Sequence, residues 1–135
     1  MEPTAYELIV RAEAADIDRL GHVNNIVYLR WVQDVAVAHW QSLASPEHQA
    51  EILWMALRHE IDYKGQAVEG DEIVVRTWIG TAEGLRFERF TEMLRSGDRK
   101  LLVQAKTVWC PIDPKAGRPK RVPAEVYRLF SKAET

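Results

Sequence analysis

The chain is organised around residues 16–29, which read Asp16-Ile-Asp18-Arg-Leu-Gly21-His22-Val-Asn24-Asn25-Ile-Val-Tyr28-Leu29. The apolar residues from position 28 onward recur at helical spacing, which predicts a long helix. Its predicted apolar face consists of Tyr28, Leu29, Val32, Val35, Ala36, His39, Trp40 and Leu43. An asparagine oxygen can accept a backbone N–H of the first helical turn, so Asn24 or Asn25 is the predicted N-cap. The stretch therefore predicts an acidic loop that leads into a helix N-terminus, where N–H groups and the helix dipole can hold developing negative charge.

The rest of the chain predicts strands joined by short turns. Polar and apolar residues alternate over residues 6–12, and the period of two returns from Trp54 onward. One face of the second predicted strand carries Met55, Leu57, His59, Ile61 and Tyr63. A turn is predicted at residues 80–84, another at 96–98, and the last strand is expected to end before Pro111. Consecutive antiparallel strands and one long helix predict an α+β domain.

Length and composition limit the classes of protein to consider. A chain of 135 residues with 47% hydrophobic and 28% charged residues predicts one globular domain. The net charge of -2 gives no electrostatic case for binding nucleic acid or an anionic membrane, so neither partner is predicted. The sequence shows no signal-peptide pattern and no apolar run near the roughly 20 residues that span a bilayer, and we expect a cytoplasmic protein. The single cysteine, Cys110, excludes an internal disulfide and fits a reducing compartment.

The central stretch carries a family resemblance. The pattern Asp16-x-Asp18-x-x-Gly21-His22-Val23-Asn24-Asn25-x-x-Tyr28 resembles the signature of hotdog-fold thioesterases of the 4-hydroxybenzoyl-CoA thioesterase type, and its His-Val-Asn-Asn segment is similar to that of acyl-carrier-protein (ACP) thioesterases. Residues 61–63, 69–72, 110–113, 117–119 and 122–123 extend the likeness in order along the chain. The resemblance implies a single hotdog domain over residues 1–135, in which a curved antiparallel sheet wraps around one long central helix.

The resemblance also implies an activity and partners. We expect hydrolysis of an acyl-CoA or acyl-ACP thioester, in which coenzyme A or the carrier protein arrives as part of the substrate and no separate cofactor is needed. We also expect a homo-oligomer, a dimer at the least and a tetramer by analogy with the family. Leu20 stands where the ACP thioesterases usually have asparagine, so the sequence leaves the carrier open.

Asp18 is the leading catalytic candidate. In the resembling family, the second acid of the Asp-x-Asp pair attacks the thioester carbonyl or activates a water, and Asp16 would support it. A carboxylate near a helix N-terminus is stabilised in its charged form, which suits a nucleophile or base at neutral pH. The alternative, that both acids only cap a turn, stays open.

Two further residues are predicted to act beside Asp18. The resemblance places an oxyanion donor at Asn25, and the N–H groups from Asn24 to Ile26 are expected to be free at the helix start. His22 is a candidate for orienting the carboxylate, donating to the carbonyl or protonating the leaving thiolate. A loop histidine that bonds only to the backbone is the alternative for His22.

A second set of residues is predicted to bind substrate: Gly21, Asn24, Tyr28, His59 and Tyr63. Gly21 would let the backbone approach a ligand closely. For His59, buried packing is the favoured alternative, and His39 is expected to be a core residue with a satisfied ring. Surface cations that could meet the phosphates of coenzyme A are Arg86, Arg89, Lys106, Arg118 and Lys120, although a solvated strand face explains any one of them better.

Other chemistries are weaker. The histidines lack a metal-ligand spacing, so no metal is predicted, and no Gly-x-Ser-x-Gly elbow is present. The spacing of Asp18 and His22 keeps open a hydratase or dehydratase that moves a proton next to the thioester carbonyl. A non-catalytic domain that binds acyl thioesters is the third possibility.

Overall fold

The computed structural model describes residues 5–130. Its elements are β1 (Tyr6–Arg11), α1 (Asn25–Leu43), α2 (Pro46–Glu51), β2 (Leu53–Tyr63), β3 (Glu72–Glu83), β4 (Arg86–Arg95), β5 (Leu101–Asp113), β6 (Arg118–Pro119) and α3 (Ala124–Phe130), with a 3-10 turn at Ala14–Asp16. All pairings in the sheet are antiparallel, in the order β1-β3-β4-β5-β2, and β6 pairs with the end of β5. The predicted α+β architecture, an antiparallel sheet with one long helix packed on it, is confirmed.

Capping residues near in sequence determine where helix α1 begins and ends. Asn24 is the N-cap, and its Oδ1 accepts the N–H of Ile26 at 3.0 Å. The helix stops at Leu43, before Ser45 caps α2 and Pro46 opens it. The buried face consists of Val27, Tyr28, Trp31, Val32, Val35, Ala36, His39 and Trp40. Leu29 and Leu43, which we also expected on this face, are half-buried, and Leu43 packs against the core residues around Trp40.

The core divides into two clusters along α1. The first lies at the N-terminal half of the helix, where Tyr28 and Val32 pack among buried residues of β3, β4 and β5 such as Ile73 and Met93. The second lies at the C-terminal end, where Trp40 packs with Phe87 of β4 and Phe130 of α3, among others. Each half of α1 also borders a cavity, and these two cavities are the candidate sites of the molecule.

Strand β2 departs from the predicted alternation. A bulge between Ala56 and Arg58 leaves Leu57 without a partner on β5. A bulge adds one residue to a strand and shifts the following side chains by one position. Met55 and Leu57 are therefore 47% and 48% exposed, whereas Ile61 lies against the core, and the single face that we predicted for residues 55–63 is wrong.

Two strands also run further than predicted. Strand β3 continues through Gly80 to Glu83, with a bulge between Ile79 and Ala82, and a Cβ at Gly80 would collide with the ring of Phe90. Strand β5 continues through Pro111 to Asp113. The Pro111 carbonyl accepts the N–H of Lys120 at 3.0 Å, so its nitrogen points away from β2, to a side where β4 has ended. The missing N–H of proline therefore breaks no hydrogen bond to a neighbouring long strand.

Candidate active site

Asp16 anchors the loop that precedes α1. Its side chain is buried, and its Oδ2 accepts the N–H of Glu13 at 2.9 Å. Its Oδ1 forms an ion pair with Arg30 of α1 at 3.2 Å. The Asp16 carbonyl accepts the N–H of Asn24 at 2.9 Å. These bonds fix the loop to the helix start, and within residues 5–130 the Asp16 side chain has no hydrogen bond to Asp18.

Asp18 opens a tight turn in this loop. Its N–H donates to the carbonyl of His22 at 2.9 Å, and its carbonyl accepts the N–H of Gly21 at 3.0 Å. Gly21 has a φ of 84°, a left-handed conformation that glycine adopts without strain. Asp18 Oδ1 accepts the N–H of Leu20 at 2.9 Å, and its Oδ2 accepts no hydrogen bond from a described residue. One carboxylate oxygen is thus held by the turn and the other remains available.

The helix start leaves one backbone N–H without a partner. Asn24 donates to Asp16, Ile26 donates to Asn24 Oδ1, and Val27 donates to the Asn24 carbonyl at 2.9 Å. The N–H of Asn25 has no acceptor among residues 5–130. We expected Asn24 and Ile26 to be free as well, which is wrong, because the loop carbonyl and the N-cap side chain bind them.

An open cavity of about 620 Å³ lies at this end of α1. It is lined by six of the eight predicted site residues, namely Asp18, His22, Asn24, Asn25, Tyr28 and Tyr63. The loop after β2 and the connection before β5 add residues that we did not predict: Lys64, Gly65, Gln66 and Lys100. The first three follow Tyr63 in sequence and could have been inferred from it, whereas nothing in the sequence links Lys100 to the loop before α1.

Gly21 and His59 do not line this cavity. Gly21 shapes the turn, and no side chain approaches within 4 Å of where its Cβ would lie. His59 pairs across the sheet with Thr107 of β5, and its Nδ1 lies 3.0 Å from the Thr107 hydroxyl oxygen. His59 is thus outside the wall of this cavity, as the packing alternative expects, and a substrate contact for His59 stays a prediction.

His22 is in the cavity wall without a side-chain partner. Its Nδ1 is sealed from solvent and forms no hydrogen bond in the described part of the chain. The predicted side-chain pair of His22 with Asp18 is not formed, since the two residues meet through their backbones. His22 therefore keeps both ring nitrogens free of a carboxylate partner.

Two tyrosines form the inner wall. The Tyr28 hydroxyl accepts the N–H of Ala67 at 3.0 Å, and the Tyr63 hydroxyl donates to the carbonyl of Asn25 at 3.3 Å. Burial raises the pKa of both phenols above the ordinary value, so both are neutral at pH 7. Their ring centroids lie 5.8 Å apart, which joins the helix to the end of β2 beside the cavity.

The family model of the thioesterase-like superfamily matches residues 12–130, which include this loop, the cavity and every strand of the sheet except β1. The chain belongs to the thioesterase-like superfamily. The predicted family is confirmed.

Members of the thioesterase-like superfamily and their neighbours show how far the likeness extends. A curated relative, the chloroplastic acyl-[acyl-carrier-protein] hydrolase of Cuphea viscosissima, is 23% identical over 128 residues, which is 87% of this chain. The chain spans only 30% of that protein's length.

Solved structures of the same kind share the fold. A 1,4-dihydroxy-2-naphthoyl-CoA thioesterase from Synechocystis is 18% identical with a TM-score of 0.84, over 98% of this chain and 99% of that chain. A variant 4-hydroxybenzoyl-CoA thioesterase in complex with 4-hydroxybenzoyl-CoA is 19% identical with a TM-score of 0.86, over 94% and 99% of the two chains. A Staphylococcus aureus protein in complex with CoA is 16% identical with a TM-score of 0.85, over 100% and 89%. These structures confirm the hotdog fold.

Residues 5–130 hold neither a membrane-spanning helix nor a cluster of metal ligands. Among the helices described here, none is long and apolar enough to cross a membrane. The same residues contain no group of three His, Cys, Asp or Glu side chains placed to hold a metal ion.

Proposed function

We propose that this member of the thioesterase-like superfamily hydrolyses an acyl thioester with Asp18 as nucleophile or general base. The observation that carries the proposal is the meeting of Asp18 and Asn25 in one cavity at the start of α1. Asp18 Oδ2 accepts no hydrogen bond and the Asn25 N–H donates none within the described residues. A reacting carbonyl between them would have an attacking group and an oxyanion donor.

The chemistry needs only the thioester and water. Asp18 attacks the carbonyl carbon and expels the thiolate, and water then cleaves the resulting anhydride; alternatively Asp18 takes a proton from the attacking water. In both routes negative charge develops on the carbonyl oxygen. The Asn25 N–H and the positive end of the helix dipole stabilise that charge. No separate cofactor enters this reaction.

His22 is the proposed proton donor to the departing thiolate. It lines the same cavity and has no carboxylate partner, and because its Nδ1 is sealed, Nε2 is the ring nitrogen that would donate to the substrate. The hydratase alternative requires a joined Asp–His pair, and the lack of a side-chain bond between Asp18 and His22 disfavours it. A non-catalytic binding domain would not need a free carboxylate oxygen beside a free N–H.

The proposed carrier is coenzyme A, with ACP as the second candidate. Lys64 and Lys100 both line the cavity, and their ammonium groups suit an anionic carrier. Two of the similar structures are thioesterases named for acyl-CoA substrates, and a third holds CoA. We place this activity in the cytoplasm. Arg89, which we had considered for the CoA phosphates, is buried and cannot serve there.

The test is thiol release from a panel of acyl-CoA and acyl-ACP substrates. Asp18→Asn should keep the fold and lower kcat by roughly 10²–10⁴-fold, the usual range for a catalytic base or nucleophile. Asp34→Asn is the matched control, because Asp34 is exposed on α1 outside the cavity, and it should keep full activity. If Asp18→Asn keeps most of its kcat, the chemistry lies on another residue. Hydration of an enoyl substrate without thiol release would instead establish a hydratase.

We also propose that the protein is a homodimer or tetramer that pairs through β2. This strand is at the edge of the sheet and exposes Leu53, Met55, Leu57 and Tyr63 by 43–52%. An open edge with apolar side chains is a template for pairing with a second copy. Sedimentation should show at least a dimer, and Leu57→Lys should shift it toward monomer. A stable, active monomer at dilution would contradict this proposal.

A further inference from the structure

A second cavity of about 260 Å³ lies at the other end of α1. It is bordered by the C-terminal half of the helix, α2, the start of β2, the neighbouring part of the sheet and α3. Five of its thirteen lining residues are aromatic: Trp40, Trp54, Phe87, Trp109 and Phe130. Its helix residues begin at Ala36, 11 residues after Asn25, so it is roughly 16 Å further along the helix at 1.5 Å per residue. It shares no lining residue with the Asp18 cavity.

Arg89 of β4 contributes a buried cation to this cavity. The side chain is 3% exposed and forms no ion pair with any acid among residues 5–130. Its Nη1 donates to Thr77 Oγ1 at 3.1 Å and to His39 Nδ1 at 3.0 Å. Because an arginine N–H can only donate, His39 Nδ1 must accept and His39 is neutral. Arg89 therefore has two neutral hydrogen-bond partners and the ring of Phe130, whose centroid is 5.8 Å from its Cζ, but no counter-charge.

The remaining donors of the guanidinium are unused. Arg89 Nε is sealed from solvent without a partner, while Nη2 donates no hydrogen bond and is not among the sealed atoms. Trp54 Nε1 and Trp109 Nε1, in the walls of the same cavity, are also sealed without partners. Three of the four sealed, unpartnered side-chain nitrogens in the described chain thus belong to residues that line this one cavity.

A buried cation without a counter-charge is costly, and so is each buried donor without an acceptor. Burial lowers the pKa of Arg89 to about 9, which still leaves it charged at neutral pH. An anionic acceptor at Nη2, the nitrogen that is not sealed, would supply the missing counter-charge, and the aromatic walls would accept a flat apolar group beside it. A carboxylate attached to an apolar body therefore matches both the unpaired charge and the walls that surround it.

We propose that this cavity binds a small organic carboxylate whose acid group pairs with Arg89 and whose flat apolar body packs between the tryptophans. The volume lies just under the usual range for ligand pockets, about 300–1,000 Å³, which limits the ligand to a single ring or a short chain. Val37, which is 50% exposed, is at the rim and gives the ligand an apolar entrance. The proposal does not depend on thioester hydrolysis.

The experiment uses phenylacetate as probe and follows the indole N–H signals of the full ¹⁵N-labelled protein by NMR. The chain has five tryptophans, of which Trp40, Trp54 and Trp109 line the cavity, whereas Trp31 and Trp78 do not. Saturable shifts of the first three signals, with the other two unchanged, are expected. No saturable shift, or a shift confined to Trp31, which packs on Tyr28 beside the Asp18 cavity, would overturn the proposal.

Two controls isolate the charge. Phenylacetamide has the same shape without the charge and should bind at least tenfold more weakly, a difference of about 1.4 kcal/mol. Arg89→Met should weaken phenylacetate binding by a similar factor, and Arg89→Lys should retain more of it. If the Arg89 variants do not fold, the acid–amide comparison on the unmodified protein still decides the matter. Equal binding of acid and amide would refute pairing with Arg89.

Discussion

Removing the Tyr28 hydroxyl should destabilise the fold by about 1–3 kcal/mol. The Tyr28 ring is 1% exposed, and its oxygen accepts the N–H of Ala67, a fully buried residue, at 3.0 Å. Tyr28→Phe keeps the ring and leaves that N–H buried without an acceptor. The folded protein then carries the full desolvation penalty of the unpaired donor. The bond joins α1 to the loop after β2, so the same change should loosen the wall of the Asp18 cavity.

The measurement is urea unfolding at neutral pH, with Tyr63→Phe as the matched control. Tyr63→Phe removes the same atom, but its ring is 43% exposed and its acceptor, the Asn25 carbonyl, lies 3.3 Å away at the surface. Water can replace that bond, so the cost should stay within about 0.5 kcal/mol. If the two variants lose equal stability with unchanged m values, the bond to Ala67 does not hold the loop and the reasoning fails.

The free energy of unfolding at alkaline pH gives a second measurement for Tyr28. Burial raises the pKa of Tyr28 in the folded protein, while in the unfolded chain it is about 10. Its contribution is therefore fully present below pH 10 and is lost as the pH rises through the folded pKa. Above about pH 10, the stability of the parent should fall more steeply than that of Tyr28→Phe. Parallel curves would show that Tyr28 ionises equally easily in both states.

Three further changes test the core and the loop. Val32→Asp places an unpaired charge at a fully buried position and should cost about 3 kcal/mol or more in thermal melting; a parent-like melting temperature would show that the helix face is misassigned. Burial, and to a lesser extent the Arg89 charge, lowers the pKa of His39 to about 3. The contribution of His39 to the free energy of unfolding is therefore fully present above pH 6.5. It falls by up to about 5 kcal/mol toward pH 3, because the unfolded chain takes up the proton first. His39→Gln should flatten that acid limb in pH-dependent unfolding, and an unchanged limb would argue against a neutral His39. Asp16→Asn should lower the melting temperature and reduce kcat less than Asp18→Asn, because Asp16 holds the loop; an equal loss of kcat would give Asp16 a direct role.

The loop and the helix start could be predicted because their structure is decided locally. Asn24 caps α1 through its own Oδ1, two residues from the N–H that it binds. Gly21 allows the left-handed turn that returns the chain to Asp18. Interactions over two to four residues are readable from spacing alone, so the motif placed five of the eight predicted site residues in one cavity, and Tyr63 of β2 is the sixth.

Strand register could not be predicted in the same way, because a neighbouring strand decides it. The bulge at Leu57 depends on how β2 matches β5, and nothing within β2 marks it. Proline ends most strands, yet Pro111 continues β5 because β4 stops before reaching it. The predicted turn at Gly80 was wrong for the same reason, because the ring of Phe90 on the neighbouring strand β4 packs over Gly80 within β3.

The surface role expected for Arg89 was wrong for a different reason, which concerns polar residues at core positions. The alternation of β4 placed Arg89 on the same side as Phe87 and Met93, which are buried, but the charge led us to consider a surface role. His39 on α1 and Thr77 on β3 also occupy apolar-face positions of their own elements, and the three side chains bond to one another. When several elements each place one polar residue at a core position, mutual pairing explains them better than separate surface roles. Such a network also shows which group has no partner within it. In this protein that group is the Arg89 guanidinium, which has no counter-charge and lines a cavity with aromatic side chains.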